Sequence, residues 1–152
     1  MAVVRTPLTI LAFAMTLLVS TAAIAQDFSQ PYIVTPAEVK FSAPATTAGI
    51  ASAVIIGDPK SSGIFVTRIR IPANFKIQPH SHPDSFRSIT VLSGTYYFGY
   101  GNVFEESKLR ALGAGSIYTE PKDLPHFART AEEEVILQIT AQGPTGTDPV
   151  QK

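Results

Sequence analysis

Hydrophobic and polar residues alternate along short stretches of this chain, and that alternation is the pattern of β-strands with one buried face. The clearest stretch ends at Ile71, where Phe65, Ile69 and Ile71 fall on one face. Arg68 falls on the other face, because successive side chains of a strand point to opposite sides of the sheet. The stretch 64–71 therefore predicts a half-buried strand.

Most of the remaining pattern consists of short strands separated by glycine and proline turns. Thr35 and Glu38 have the spacing of a capping box with Pro36 at the first helical position, which predicts one helical turn. A second turn is predicted at 104–109. Short strands at roughly 8–12-residue spacing predict an all-β sandwich or barrel. The predicted strands cover residues 53–56, 64–71, 75–82, 87–92, 95–100, 116–119, 127–129 and 134–141.

The first 25 residues have the pattern of a signal peptide. Arg5 supplies the positive start, residues 8–19 are apolar, and Ala23-Ile24-Ala25 is a cleavage pattern. The apolar run is short for a membrane span, so a retained anchor is the weaker alternative. We predict a periplasmic or secreted protein with a signal peptide at 1–25, an N-terminal arm at 26–61, a β-barrel at 62–142 and a flexible tail at 143–152.

The composition excludes several classes of partner and site. Twelve basic and twelve acidic residues give a formal net charge of zero, so neither nucleic acid nor an anionic membrane surface is expected as a partner. The chain has no cysteine, which excludes disulfides and thiolate metal sites. Any metal ion must therefore be bound by nitrogen and oxygen atoms.

The three histidines of the chain lie in two short proline-flanked segments. His80 and His82 are two residues apart, and on a strand such residues point to the same side. They can bind one ion together if His126 arrives from a neighbouring strand. Three imidazoles leave coordination positions open, as catalytic metal sites do. The sequence thus indicates a metal site at His80, His82 and His126, and unrelated histidines are the less favoured interpretation.

The span from about 71 to 142 resembles the cupin superfamily, in particular its small exported single-domain members. The first cupin motif is glycine, five residues, His-x-His, three or four residues, glutamate, six residues and glycine. This chain has Asn74, His80, His82, Arg87 and Gly94 at these positions. The resemblance implies a double-stranded β-helix, or jelly-roll barrel, with the histidines bound to a metal ion.

The second cupin motif is glycine, five residues, Pro-x-Gly, two residues, histidine, three residues and asparagine. Gly115, Pro121 and His126 stand in register, while Asp123 replaces glycine and Thr130 replaces asparagine. Asn74 and Asp123 are mild replacements, because both residue types tolerate the turn conformations that glycine adopts. The resemblance therefore holds in both motifs.

Arg87 is the departure with chemical consequences, because it occupies the position of the metal-binding glutamate and a guanidinium cannot bind a metal. Facing inward, it could bind a substrate carboxylate. Facing outward, it would pair with Asp84 or another acid. Asp84 and Glu120 are candidates for a fourth ligand or for orienting an imidazole. Tyr118 and Gln138, with Thr90, are polar residues of predicted strands that would line a substrate pocket.

Two functions remain open at this stage. The resemblance implies a metal-dependent enzyme with dioxygenase-like chemistry on a small molecule, and an inward-facing Arg87 would suit a molecule that carries a carboxylate. No residue is left as a general base, which favours redox or Lewis-acid chemistry. The alternative is a non-catalytic periplasmic module that binds a metal or small ligand, and the missing glutamate favours it. The ion would be a divalent transition metal (Fe, Zn, Mn, Cu or Ni), and the resemblance also implies a homodimer.

Overall fold

The computed structural model describes residues 30–42 and 49–150. The predicted signal peptide, part of the arm and the last two residues of the predicted tail lie outside the described residues. No helix in the described part of the chain is long and apolar enough to cross a membrane.

The described residues form ten β-strands and two 3-10 helices. The helices are η1 (Pro36–Glu38) and η2 (Glu106–Lys108). The strands are β1 (Ala51–Ile56), β2 (Gly63–Ile71), β3 (Lys76–Ser81), β4 (Arg87–Ser93), β5 (Tyr96–Tyr100), β6 (Arg110–Leu112), β7 (Ile117–Thr119), β8 (His126–Thr130), β9 (Val135–Gly143) and β10 (Asp148–Pro149).

The strands pair into two five-stranded antiparallel sheets. One has the order β1-β2-β9-β4-β7 and the other the order β10-β3-β8-β5-β6. The strand order is not the chain order, so strands from distant parts of the sequence become neighbours. The prediction of an all-β double-stranded β-helix is confirmed.

The core lies between the two sheets and follows the alternation in the sequence. Along β9, Val135, Leu137, Ile139 and Ala141 are buried, while the residues between them are partly exposed. These side chains pack with Phe65 in one apolar cluster. At roughly 25 cal/mol per Å² of apolar surface removed from water, this cluster is the main source of stability.

Four motif positions share one backbone feature. Asn74 and Asp123 adopt φ values of 55° and 58°, in the left-handed region. Gly94 and Gly115 adopt φ values of 75° and 86°. Most residue types other than glycine are strained in this backbone conformation, but asparagine and aspartate tolerate it. The two replacements of motif glycines are therefore compatible with the turns they occupy.

The end of the described chain differs from the predicted loose tail. Gly143 closes β9, and β10 pairs with β3, with Asp148 opposite Ser81 and Pro149 opposite His80. The segment lacks the alternation of a strand, so its pairing could not be read from the pattern. Its consequence is that residues 144–150 run beside the histidines.

Smaller differences occur at strand edges. The segment after Glu38 contributes a single bridge between Ser42 and Ser52, outside the predicted strand ranges. The three-residue strand β6 was not predicted, since it pairs only along Tyr96 to Phe98 at the edge of its sheet. Both differences concern segments too short to carry a period of their own.

Candidate metal centre

The three histidines come from two neighbouring strands. His80 lies in β3 and His126 begins β8, and the two face each other in the register of that strand pair. His82 follows the last residue of β3, two residues beyond His80. The pleat of β3 and its pairing with β8 therefore bring His126 together with two histidines that lie 46 and 44 residues before it in the sequence.

The three imidazoles are close enough to share one ion. The ring centroids of His80 and His126 are 4.4 Å apart, those of His80 and His82 5.0 Å, and those of His82 and His126 5.2 Å. One ring nitrogen from each residue lies within 4.8 Å of the others. The convergence expected from the sequence is therefore present.

Backbone carbonyls fix which nitrogen of each ring is free. Nδ1 of His80 lies 2.8 Å from the Gln78 carbonyl, Nδ1 of His82 lies 2.6 Å from the Gly146 carbonyl, and Nδ1 of His126 lies 3.0 Å from the Leu124 carbonyl. A carbonyl only accepts, so each Nδ1 carries the proton. In the neutral rings the lone pair then sits on Nε2, the arrangement of metal-binding histidines.

Burial keeps the imidazoles of His80 and His82 neutral. It lowers the pKa of His82 from its ordinary 6.5 to about 4, and the nearby Arg87 charge acts in the same direction. Burial also lowers the pKa of His80. A neutral imidazole can donate its lone pair to a metal ion, so both groups are ready to bind at neutral pH.

A carboxylate stands beside the histidines. Glu120 follows β7 and is buried, with 6% of its surface exposed. Its Oε2 lies 3.5 Å from Nε2 of His82, and its Oε1 lies 3.6 Å from Nε2 of His126. Glu120 is thus close to the Nε2 atoms of His82 and His126. The motif comparison had placed the carboxylate beside the histidines at residue 87 instead.

Arg87 is inside the protein and is engaged by two carboxylates. Its Nε donates to Glu120 Oε2 at 2.6 Å and its Nη1 donates to Asp84 Oδ2 at 2.8 Å. The Thr145 hydroxyl donates to the same Asp84 oxygen at 3.0 Å. The side chains of Asp84, Arg87 and Glu120 are each at least nine-tenths buried. From the sequence, Arg87 was expected to pair with an acid only if its side chain faced outward. In the structure the side chain is buried and still pairs with acids.

The electrostatics of this cluster favour a cation. Burial opposes ionisation of Glu120, but the charge of Arg87 and its hydrogen bond to the carboxylate act in the other direction, and the pKa of Glu120 is lowered. With both carboxylates ionised, Asp84 and Glu120 exceed the single charge of Arg87 by one negative charge. Nε2 of His126 is also buried without a hydrogen-bond partner among residues 30–42 and 49–150. An orphaned lone pair and an uncompensated negative charge are what a bound divalent metal ion would satisfy.

A cavity of about 600 Å³ adjoins the cluster between the two sheets. His80, His82, Arg87 and Glu120 form one part of its wall. Its other walls are mostly aliphatic or aromatic, and include Ile69, Phe75, Ile77, Ile89, Leu137 and Ile139. Small-molecule sites in proteins typically combine such an apolar lining with a few polar groups.

Two tyrosines line the same cavity. The rings of Tyr96 and Tyr118 lie nearly parallel, with centroids 6.1 Å apart. The Tyr118 hydroxyl is buried, and the Tyr96 side chain is its polar neighbour. Burial raises the pKa of both phenols, so they remain protonated and can donate. Tyr118 was a predicted pocket residue, whereas Tyr96 was not among the predicted ones.

Gln138 lies on the other side of its sheet. In β9 it falls between the buried Leu137 and Ile139, so the pleat turns it away from the cavity. Its Oε1 accepts a hydrogen bond from Arg68 Nε at 3.1 Å. Thr90 faces Gln138 across the strand pair and shares that outer face. The expectation that these two residues line the pocket is corrected accordingly.

Other contributors to the site carried no signal in the sequence. The Gly146 carbonyl and the Thr145 hydroxyl come from the segment expected as a loose tail. A backbone carbonyl is chemically the same at every position, so only its placement identifies it. The presence of Tyr96 in the cavity follows the strand alternation of β5, whose direction relative to the cavity could not be read from the pattern alone.

Sequence comparisons support the resemblance over part of the chain. No family model matches. A germin-like protein 2-3 of rice (Oryza sativa subsp. japonica) is 31% identical over 87 residues, which cover 54% of this chain and 39% of the rice protein. The chain thus spans about two fifths of the length of this relative.

Solved structures share the fold. The polyketide cyclase RemF from Streptomyces resistomycificus superimposes with a TM-score of 0.67 at 17% identity, over 81% of this chain and 87% of RemF. A salicylate 1,2-dioxygenase from Pseudoaminobacter salicylatoxidans gives 0.55 at 17% identity, over 69% of this chain and 32% of the dioxygenase. These neighbours include enzymes of different chemistry, and the resemblance inferred from the two histidine motifs is confirmed.

Proposed function

We propose that this chain, a member of the cupin superfamily, binds one divalent transition-metal ion through Nε2 of His80, His82 and His126 and acts on a small molecule in the adjoining cavity. The observation that carries the proposal is the orientation of the three rings. Each Nδ1 is held by a backbone carbonyl, which leaves three Nε2 atoms for one ion. Nitrogen and oxygen ligands of this kind suit Fe, Zn, Mn, Cu and Ni.

Glu120 supplies the carboxylate that the first motif lacks. It lies beside Nε2 of His82 and of His126, and its backbone N–H donates to the Arg87 carbonyl at 3.1 Å across β4 and β7. Arg87, which occupies the motif glutamate position, and Glu120 are therefore neighbours across the strand pair. Either a direct bond to the ion or a contact with the ion's ligands would balance part of the metal charge from this place.

Arg87 acts as a positioning residue for Glu120 in this proposal. Its guanidinium holds the carboxylate at 2.6 Å and is itself fixed by Asp84 and Thr145. Arg87 stays charged, so Glu120 stays ionised and aimed at the histidines. A substrate carboxylate would have to compete with two buried acids for the same guanidinium. We therefore propose this role for Arg87 instead of binding an anionic substrate.

The reaction class that fits best is oxygenase-type or Lewis-acid chemistry. A divalent ion held by His80, His82 and His126 would supply Lewis-acid polarisation of a ligand oxygen or, for a redox metal, oxygen chemistry. The chain's own residues orient the imidazoles through backbone carbonyls and surround the ligand with mostly apolar side chains. Two structural neighbours, a dioxygenase and a cyclase, are enzymes and support this class.

The second candidate is a non-catalytic periplasmic module that binds a metal or a small ligand. The arginine at the motif glutamate position favours it. The metal found in protein purified from its native compartment tests the two: iron or copper supports oxygen chemistry, zinc is compatible with Lewis-acid chemistry as well as with the module, and no metal supports the module. We also propose export of the chain, on the signal-peptide pattern of residues 1–25.

Replacement of His82 by alanine should abolish stoichiometric metal binding. The variant loses one of three nitrogen donors and the ring that Gly146 orients. Elemental analysis after dialysis against metal should give about one ion per chain for the wild type and well below that for the variant. Ser81→Ala is the matched control, because Ser81 lies between the two histidines. Full loading of His82→Ala would contradict the assigned ligands.

Replacement of Glu120 by glutamine should weaken metal binding by about 10- to 100-fold. The change keeps the shape of the side chain but removes the negative charge beside His82 and His126. Competition against a chelator of known affinity measures the change. Glu134→Gln is the control, since Glu134 is exposed and pairs with Arg70 at 3.6 Å. Equal affinities for the Glu120→Gln variant and the wild type would remove Glu120 from the site.

A further inference from the structure

The orientation of the three imidazoles has two different sources. Nδ1 of His80 and Nδ1 of His126 each donate to the carbonyl of the residue two positions earlier in the chain. Nδ1 of His82 donates instead to the Gly146 carbonyl, which lies 64 residues further along the chain. The strand pair β3–β8 therefore does not by itself fix the His82 ring, and the orientation of this ring depends on the C-terminal segment.

Residues 144–150, which we call the strap, supply this carbonyl and run beside the cavity. Thr147 and Pro149 form part of the cavity wall. Pro144 and residues 147–149 are exposed, and the rest of the strap is partly exposed. Two strap residues, those of β10, pair with β3. A segment that is held by hydrogen bonds and buries little apolar surface opens locally more often than the core does.

Thr145 anchors the strap next to Gly146. Its hydroxyl donates to Asp84 Oδ2 at 3.0 Å and accepts from Arg87 Nη1 at 3.3 Å. Its backbone N–H donates to the Pro59 carbonyl at 2.8 Å. Hydrogen bonds to charged groups are stronger than those between neutral groups, so the hydroxyl supplies a large part of the strap's attachment. The strap is thereby tied to the same buried acid that pairs with Arg87.

We propose that the strap is a positioning element of the metal centre, and that docking of the strap and binding of the metal ion stabilise each other. The docked strap holds the proton of His82 on Nδ1 and so directs Nε2 toward the ion. Opening removes the Gly146 carbonyl and frees the ring. Because such coupling is reciprocal, the factor by which docking raises the metal affinity is also the factor by which the bound ion suppresses opening. Thr145 is a positioning residue that acts through the strap.

The strap also joins the metal centre to the ligand cavity. Since Thr147 and Pro149 move with the strap, suppression of its opening by the ion keeps this wall of the cavity in place. The inference rests on the proposed function, because it takes Nε2 of His82 as a ligand of the ion. The hold of the strap on the His82 ring does not depend on metal, so it can be measured separately.

Hydrogen exchange of the full chain with and without Zn²⁺ tests the coupling. The Val150 N–H donates to the Pro79 carbonyl at 3.1 Å and reports opening of the strap. Saturating zinc should slow its exchange at least about tenfold, the smaller end of what the loss of an orienting partner costs in metal affinity. The Leu109 N–H, which donates to the Glu106 carbonyl at 3.1 Å at the end of η2, is the control and should keep its exchange rate.

Thr145→Val tests the hold on His82 in the metal-free protein. The change keeps the shape of the side chain but removes the hydroxyl. Exchange with water of the Val150 N–H and of the His82 Nδ1 proton should both become at least about tenfold faster, because one opening releases both. The His80 Nδ1 proton, which is held within its own strand, should exchange at the wild-type rate. Thr145→Ser should restore the slow exchange of both protons.

The outcomes separate this proposal from the metal site. Zinc that binds without slowing the Val150 exchange overturns the strap proposal alone, as does a Thr145→Val protein whose His82 Nδ1 proton exchanges at the wild-type rate. A wild type that binds no zinc overturns the coupling together with the proposed metal site. If Thr145→Val does not fold, the zinc measurement on the wild type decides.

Discussion

Replacement of Arg87 by methionine should lower the free energy of unfolding of the metal-free protein by about 3–5 kcal/mol. Methionine fills a similar volume but leaves Asp84 and Glu120 buried without their shared counter-charge. Chemical denaturation of the wild type and the variant measures the difference. The loss should be among the largest of any single substitution in this chain, since one residue neutralises two buried acids.

Arg70→Met is the control for this prediction. Arg70 pairs with Glu134 at 3.6 Å, but both side chains are about half exposed, so this change should cost at most about 1 kcal/mol. A divalent metal ion should return part of the stability lost in Arg87→Met, because it supplies positive charge beside Glu120. Equal stabilities of the two variants would contradict the proposed role of the buried cluster.

The metal-free protein should lose stability steeply between about pH 6.5 and pH 4. The folded state lowers the pKa of His82 from 6.5 to about 4, so the unfolded chain binds a proton in this range before the folded chain does. Stability is then present above the unfolded pKa and is lost as the pH falls toward the folded pKa. For one group this loss amounts to about 3 kcal/mol.

His82→Gln isolates this contribution, because glutamine keeps a polar side chain that does not titrate. Denaturation of the metal-free wild type and variant at a series of pH values measures both slopes. The variant should have lower stability at pH 7 and a shallower loss on acidification. Parallel curves for the two proteins would contradict the assignment of the acid sensitivity to His82.

Much of the fold was accessible from local patterns. The alternation through Phe65, Ile69 and Ile71 predicted β2, and its faces are those found. Asn74 and Asp123 were read as turn residues at motif glycine positions, and both have positive φ. These features depend on neighbours in sequence, so the sequence alone suffices to predict them. The segment after Gly143 lacks such a pattern, and its pairing with β3 was missed for that reason.

The candidate site was accessible only in part. His80, His82 and His126 could be identified because histidine is rare in this chain and all three keep the motif spacing. The role of Glu120 was left open, since a carboxylate before a proline has no distinctive local pattern. Gln138 was misplaced because one step along a strand moves a side chain to the opposite face.

The sequence by itself determined the longer strands, the turns at the motif positions and the identity of the three imidazole donors, because periodicity and residue chemistry are local properties. Only the tertiary structure decided that Glu120 meets Arg87, 33 residues away, and that the Gly146 carbonyl orients His82, 64 residues away. Such contacts depend on strand register and on which sheet edges adjoin. Together they turn three histidines into a candidate metal centre with its own buried counter-charges.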